Sequence, residues 1–74
     1  MNARALVLNF LTSKGVNTDT LSDECLLMQH IQSVDFMELI ITAEMEMGQE
    51  LSLESVQIEQ ISSLGGFIHW LEKA

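Results

Sequence analysis

The groups able to do chemistry in this 74-residue chain are few: Ser33, Cys25, His30, His69 and eleven acids. His30 precedes Ser33 by three residues, which raises the question of a nucleophilic serine. Such a serine also needs an orienting acid and an oxyanion hole, and no nucleophile-elbow pattern surrounds Ser33. The expectation is that the chain is not an enzyme. Cys25, His30 and His69 do not fall at metal-ligand spacing, and the acids form no calcium-loop pattern, so no metal is expected. What remains is Ser33 itself, preceded by Leu26 and Leu27 in a loop and followed by Val34 and Asp35. A serine opening a helix offers an exposed hydroxyl, and the helix end favours an anionic group attached there. Serine in such a place also commonly serves as nothing more than a helix cap.

The elements that must position Ser33 follow from the hydrophobic rhythm. From Ala3 to Lys14, Leu6, Val7, Phe10 and Leu11 recur at three- and four-residue spacing, one stripe of an amphipathic helix that Gly15 stops. Residues 15–32 carry turn formers at Asn17, Thr18, Asp19, Thr20, Ser22 and Asp23. So long a connection is usually functional or disordered. Val16, Leu21, Leu26, Leu27 and Ile31 predict an ordered loop pinned to a core.

The strongest helix spans 33–47, stopped by Gly48, and is apolar around more than one face. Leu39, Ile40, Ala43 and Met47 are expected inside, which leaves Val34, Met37 and Ile41 as a strip beside Ser33. A short helix is expected near Val56, Ile58 and Ile61. Capped by Ser62 or Ser63, a last helix over 64–73 turns Leu64, Phe67, Ile68 and Leu71 inward. Gly65 and Gly66 in its first turn predict fraying there. The fold class is therefore all-α: one domain over 1–74, a four-helix bundle with a long loop between helices 1 and 2 and a short third helix.

Charge narrows the partners. Eleven acids face three bases, a formal charge of −8, and no base stands between Lys14 and Lys73. Phosphate backbones and anionic membranes both need a basic footprint, so nucleic acid and membrane are excluded as partners. A basic protein surface is the natural complement. Asp35 with Glu38, and Glu46 with Glu50, are like-charge neighbours at helical or near-helical spacing. Each such pair costs about 0.2–0.5 kcal/mol, with no base nearby in sequence to offset it. The lone Cys25 forms no internal disulfide, no apolar run suits a membrane span, and the first residues lack a secretory signal. A soluble, cytoplasmic monomer is expected.

Leu26 to Leu39 reads Leu-Leu-Met-Gln-His-Ile-Gln-Ser-Val-Asp-Phe-Met-Glu-Leu. This resembles the phosphopantetheine attachment region of the acyl and peptidyl carrier proteins, where a Leu-rich loop runs into Gly-x-Asp-Ser-Leu. Ser33 matches the attachment serine, Val34 the apolar residue after it, and Asp35, Glu38 and Glu44 the acids of the recognition helix. Helix and loop lengths agree with that family over the whole chain. Gln32 stands where the family usually has Asp, His30 where it has Gly, Gln29 replaces a common leucine, and Met45 replaces a frequent Glu.

The resemblance implies a 4′-phosphopantetheine arm, drawn from coenzyme A and attached to Ser33 by a phosphopantetheinyl transferase. Acyl, polyketide or aminoacyl intermediates would ride on it as thioesters, in fatty-acid, polyketide or nonribosomal-peptide synthesis. Val34, Asp35, Met37, Glu38, Ile41 and Glu44 would form the surface met by loading and condensing enzymes with basic docking faces. The departures at Gln32 and His30 suit a rival reading, a non-carrier acidic adaptor that uses the same helix with a degenerate attachment motif.

Overall fold

The computed structural model describes residues 2–74, and each helix in it can be traced to a local signal. Helix α1, Ala3–Ser13, begins where the Asn2 side chain accepts a hydrogen bond from the Ala5 amide at 3.1 Å. It buries Ala3, Val7, Phe10 and Leu11 and leaves Leu6 half-buried. Gly15, at φ +84°, turns the chain away, and the Val16 amide returns to the Leu11 carbonyl at 3.0 Å. Helix α2, Ser33–Met47, ends the same way at Gly48, φ +69°, whose amide donates to the Glu44 carbonyl at 2.9 Å. Helix α3, Ile58–Ile61, is a single turn, and α4 is Leu64–Lys73.

Among the described residues the fold is all-α, with no strand and one isolated bridge between Leu26 and Ser63. Helix α4 packs against α1 and α3, while α1 also meets α2. One apolar cluster joins them: Val7, Leu11, Leu39, Ile61, Leu64, Phe67 and Leu71 are almost wholly removed from solvent. Phe67 stands at its centre, with the Phe36 and Trp70 rings each edge-on to it at 5.5 Å between centroids. These contacts fix the side of α2 that faces inward: Phe36, Leu39, Ile40 and Ala43 are buried and Met47 is half-buried.

The connection between α1 and α2 is ordered, with short 3₁₀ turns at Thr18–Thr20 and Leu27–Gln29. Leu27 and Ile31 enter the core, and Val16 and Leu21 pack at its margin. Leu26, expected among these anchors, is instead exposed, because the backbone pairing to Ser63 holds its neighbour Leu27 inward. Three backbone bonds stitch this stretch to the start of α4. The Leu27 amide reaches Ser62 O at 2.8 Å, and the Leu64 and Gly65 amides reach Cys25 O and Asp23 O at 2.9 and 2.8 Å. Arg4 adds a two-pronged pair to the Asp23 carboxylate, both N···O distances 2.9 Å.

That stitching corrects the expectation of fraying at Gly65 and Gly66. The Gly66 amide is capped by Ser63 Oγ at 3.1 Å, and the Gly65 amide is taken by Asp23. A Cβ at Gly65 would stand 2.7 Å from Asp23 Cβ, and one at Gly66 would overlap the Gln60 carbonyl oxygen. The two glycines are the condition for seating the loop and α3 against α4, and that contact outweighs their poor helix propensity.

Candidate functional site

Ser33 occupies the first turn of α2 and is exposed. The capping position belongs to Gln32, whose amide donates to the Asp35 carboxylate at 3.3 Å. Ser33 is thus relieved of the capping role that serine often has at a helix start. No hydrogen bond from its hydroxyl occurs among the described residues. The loop leading to it is anchored twice, by the Leu26–Ser63 bridge and by Leu27 and Ile31 in the core. An exposed hydroxyl on an anchored approach can take a covalent group without any buried atom having to move.

Beside Ser33 runs the apolar strip. Val34 is 67% exposed, Met37 48% and Ile41 52%, while Leu39 on the inward side is fully buried. The strip continues to Met45, at 78% the most exposed of the large apolar side chains among the described residues. Steps of three, four and four residues keep all four on one side of the helix. Met45 was therefore legible as a member of the strip, since it repeats the spacing from Met37 to Ile41. Met28 and Leu26 in the preceding loop and Ile58 at the start of α3 are also exposed.

The acids of α2 are placed differently from expectation. Asp35 and Glu38 do not repel each other unrelieved: Lys14, at the end of α1, sets its ammonium 2.7 Å from Glu38 Oε2 and 3.7 Å from Asp35 Oδ1. The hydrogen bond to Glu38 holds the Lys14 pKa above its ordinary value, with the charges of Glu38 and Asp35 adding to it against partial burial. The Lys14 ammonium also stands over the face of Phe10, 5.4 Å from the ring centroid, a second attraction at the junction of α1 and α2.

Sequence spacing concealed this base, because Lys14 meets the acids from another helix. Glu44 is half-buried, and its carboxylate accepts the Leu51 amide at 2.9 Å, fastening the chain that leaves α2. Of the six residues expected to meet partners, Val34, Met37 and Ile41 are uncovered. Asp35 and Glu38 are ion-paired, and Glu44 holds a loop.

Arg4 keeps the Asp23 carboxyl below the ordinary carboxylate range, chiefly by hydrogen bonding and also by charge, against the effect of burial. That pair belongs to the scaffold of the loop. Two surface depressions, one among Asn2, Met47 and Leu71 and another among Leu6, Phe10 and Thr42, are not lined by Ser33. No helix among the described residues is long and apolar enough to cross a membrane. Comparison with protein-family models, with curated proteins and with solved structures found no match to this chain.

Proposed function

We propose that this chain is a carrier protein of acyl- or peptidyl-carrier type, with a 4′-phosphopantetheine arm on Ser33. Its task is to hold acyl, ketide or aminoacyl intermediates as thioesters and deliver them to separate enzymes. The observation that carries this reading is the exposed Ser33 hydroxyl at the first turn of α2, released from capping by Gln32 and bordered by the uncovered strip of Val34, Met37 and Ile41. The order of a long helix, an anchored loop, a second long helix, one turn and a final helix supports a carrier-type bundle.

The residues at hand suit the arm. The start of a fifteen-residue helix favours an attached phosphodiester through its unpaired amides. Lys14 offsets the charge of Asp35, two residues from the attachment point, and so lowers the repulsion an added anion would meet. The arm supplies a thiol on a flexible chain, and the helical domain supplies the address that partners read. In the attachment itself the Ser33 oxygen bonds to phosphorus, and the bond from that phosphorus to the adenosine bisphosphate part of coenzyme A breaks. The hydroxyl proton leaves to a base on the transferase, which also brings the metal ion.

Intact mass after incubation with coenzyme A, magnesium and a broad-specificity phosphopantetheinyl transferase tests the proposal. One addition is expected, absent from Ser33→Ala, with the far-UV spectrum of that variant unchanged. A folded chain left unmodified by several unrelated transferases would instead favour the adaptor that docks through the same strip. Addition at another serine would refute the site.

A further inference from the structure

The acids and the apolar strip of α2 do not present one uniform surface. At the Ser33 end, Asp35 and Glu38 share the Lys14 ammonium. Toward and beyond the other end, Glu46, Glu50 and Glu54 form no ion pair among the described residues. Between them the strip of Val34, Met37, Ile41 and Met45 is open along its length. We propose that Lys14 is a specificity-determining residue. By holding Glu38 and Asp35 it makes the strip beside Ser33 a surface for a partner protein with an apolar groove. The partner's basic residues then meet the far end of α2 and not the Ser33 end. This rests on the reading of the α2 strip as the docking face, and it names the chemistry of the partner that face accepts.

The physical grounds are charge and reach. An incoming base at the Ser33 end must compete with an ammonium already bound at 2.7 Å and also drawn to the face of the Phe10 ring. A base at the far end meets carboxylates that form no ion pair among the described residues. Apolar contact does not weaken with salt, whereas exposed charge contacts are screened within about 8–10 Å at physiological ionic strength. Docking at the Ser33 end is therefore led by Val34, Met37 and Ile41, with charge contributing direction from the opposite end.

The test uses two synthetic amphipathic helical peptides with the same apolar face, one flanked by lysines and the other by glutamates. Each is titrated at low salt into the isotope-labelled full chain, and amide shifts are followed by NMR. Four forms are compared: wild type, Lys14→Gln, Lys14→Arg and Lys73→Gln. The last changes net charge by the same unit at the end of α4 and leaves Asp35 and Glu38 paired.

Lys14→Gln is expected to raise the preference for the lysine-flanked peptide about three- to fivefold above the Lys73→Gln form, the size of one exposed charge pair. It is also expected to bring new shifts at Asp35 and Glu38, while Lys14→Arg stays close to wild type. The proposal is overturned if Lys14→Gln and Lys73→Gln behave alike, if wild type already shows those shifts with the lysine-flanked peptide, or if neither peptide perturbs α2. None of these readouts requires Ser33 to be modified, so failure here and failure of the carrier reading are separately visible.

Discussion

Replacing Gly66 with alanine sets two effects of opposite sign against each other. In an isolated helix the change would stabilise by about 1 kcal/mol, because alanine has far better helix propensity than glycine. In α4 the new methyl would overlap the Gln60 carbonyl oxygen and stand 2.8 Å from Ser63 Oγ. The first of these neighbours is backbone and can yield only if α3 moves. The second is the cap of α4, already bonded to the Gly66 amide. Overpacking of this kind costs about 1–3 kcal/mol, and weakening the cap adds up to about 1 kcal/mol more. Because the overlap is with backbone, the cost falls at the upper end of that range, and subtracting the propensity gain leaves a net loss of about 2–3 kcal/mol. A domain of this size has roughly 4–11 kcal/mol in all, so the midpoint of urea unfolding should fall clearly at unchanged slope. His69→Ala, an exposed change in the same helix, should stay within about 0.5 kcal/mol of wild type. A Gly66→Ala chain as stable as wild type, or more so, would refute the claim that the glycine is kept for the contact between α3 and α4.

Two further substitutions separate the two sides of α2, and one tests the loop anchor. Leu39→Ala removes a fully buried side chain from the middle of the core and should cost about 2–5 kcal/mol in urea unfolding. Ile41→Ala, two residues on but half-exposed, should cost less than about 0.5 kcal/mol; equal losses would mean the inward side of α2 is misassigned. Arg4→Gln tests the Asp23 pair through pH. Because the folded pKa of Asp23 lies below its ordinary value of 3.8, the pair stabilises above that value and its contribution disappears as pH falls through the folded pKa. Thermal unfolding should therefore show wild type above Arg4→Gln at pH 6 and the two converging by about pH 2. A gap that stays constant over that range would show that Arg4 contributes by packing alone.

Much of this fold was legible because its helices carry independent local signals that agree. Gly15 and Gly48 mark two helix ends, and both adopt positive φ as the stop requires. The rhythm of Leu64, Phe67, Ile68 and Leu71 set the inward side of α4, and all four are buried. Leu39, Ile40 and Ala43 against Val34, Met37 and Ile41 divided α2 as observed. The errors fall where a residue answers to something distant in sequence. Leu26 is apolar yet exposed because its backbone pairs with Ser63, thirty-seven positions away. Gly65 and Gly66 read as weak points because propensity is a property of the helix alone, and the Asp23 and Gln60 atoms that require them lie in other elements.

The same distinction explains why charge was the least legible part of the site. Composition fixes how many acids exceed bases, but the field at Ser33 depends on which acids keep a partner. Among the described residues only Lys14 pairs with the acids of α2, and it reaches two of them at once. Its effect is local: one positive charge leaves the total strongly negative while changing the first turns of α2 disproportionately. On the proposed reading, long-range attraction of basic proteins and short-range choice of partner then become separable properties of this surface. The first follows from a net charge of −8, which sequence alone supplies. The second follows from the arrangement of an ammonium, two carboxylates and four uncovered apolar side chains, which only the folded chain assembles. If Lys14 acts as argued, a substitution that scarcely alters the pI would change which surfaces dock beside Ser33, and one at Lys73 with the same formal charge change would not.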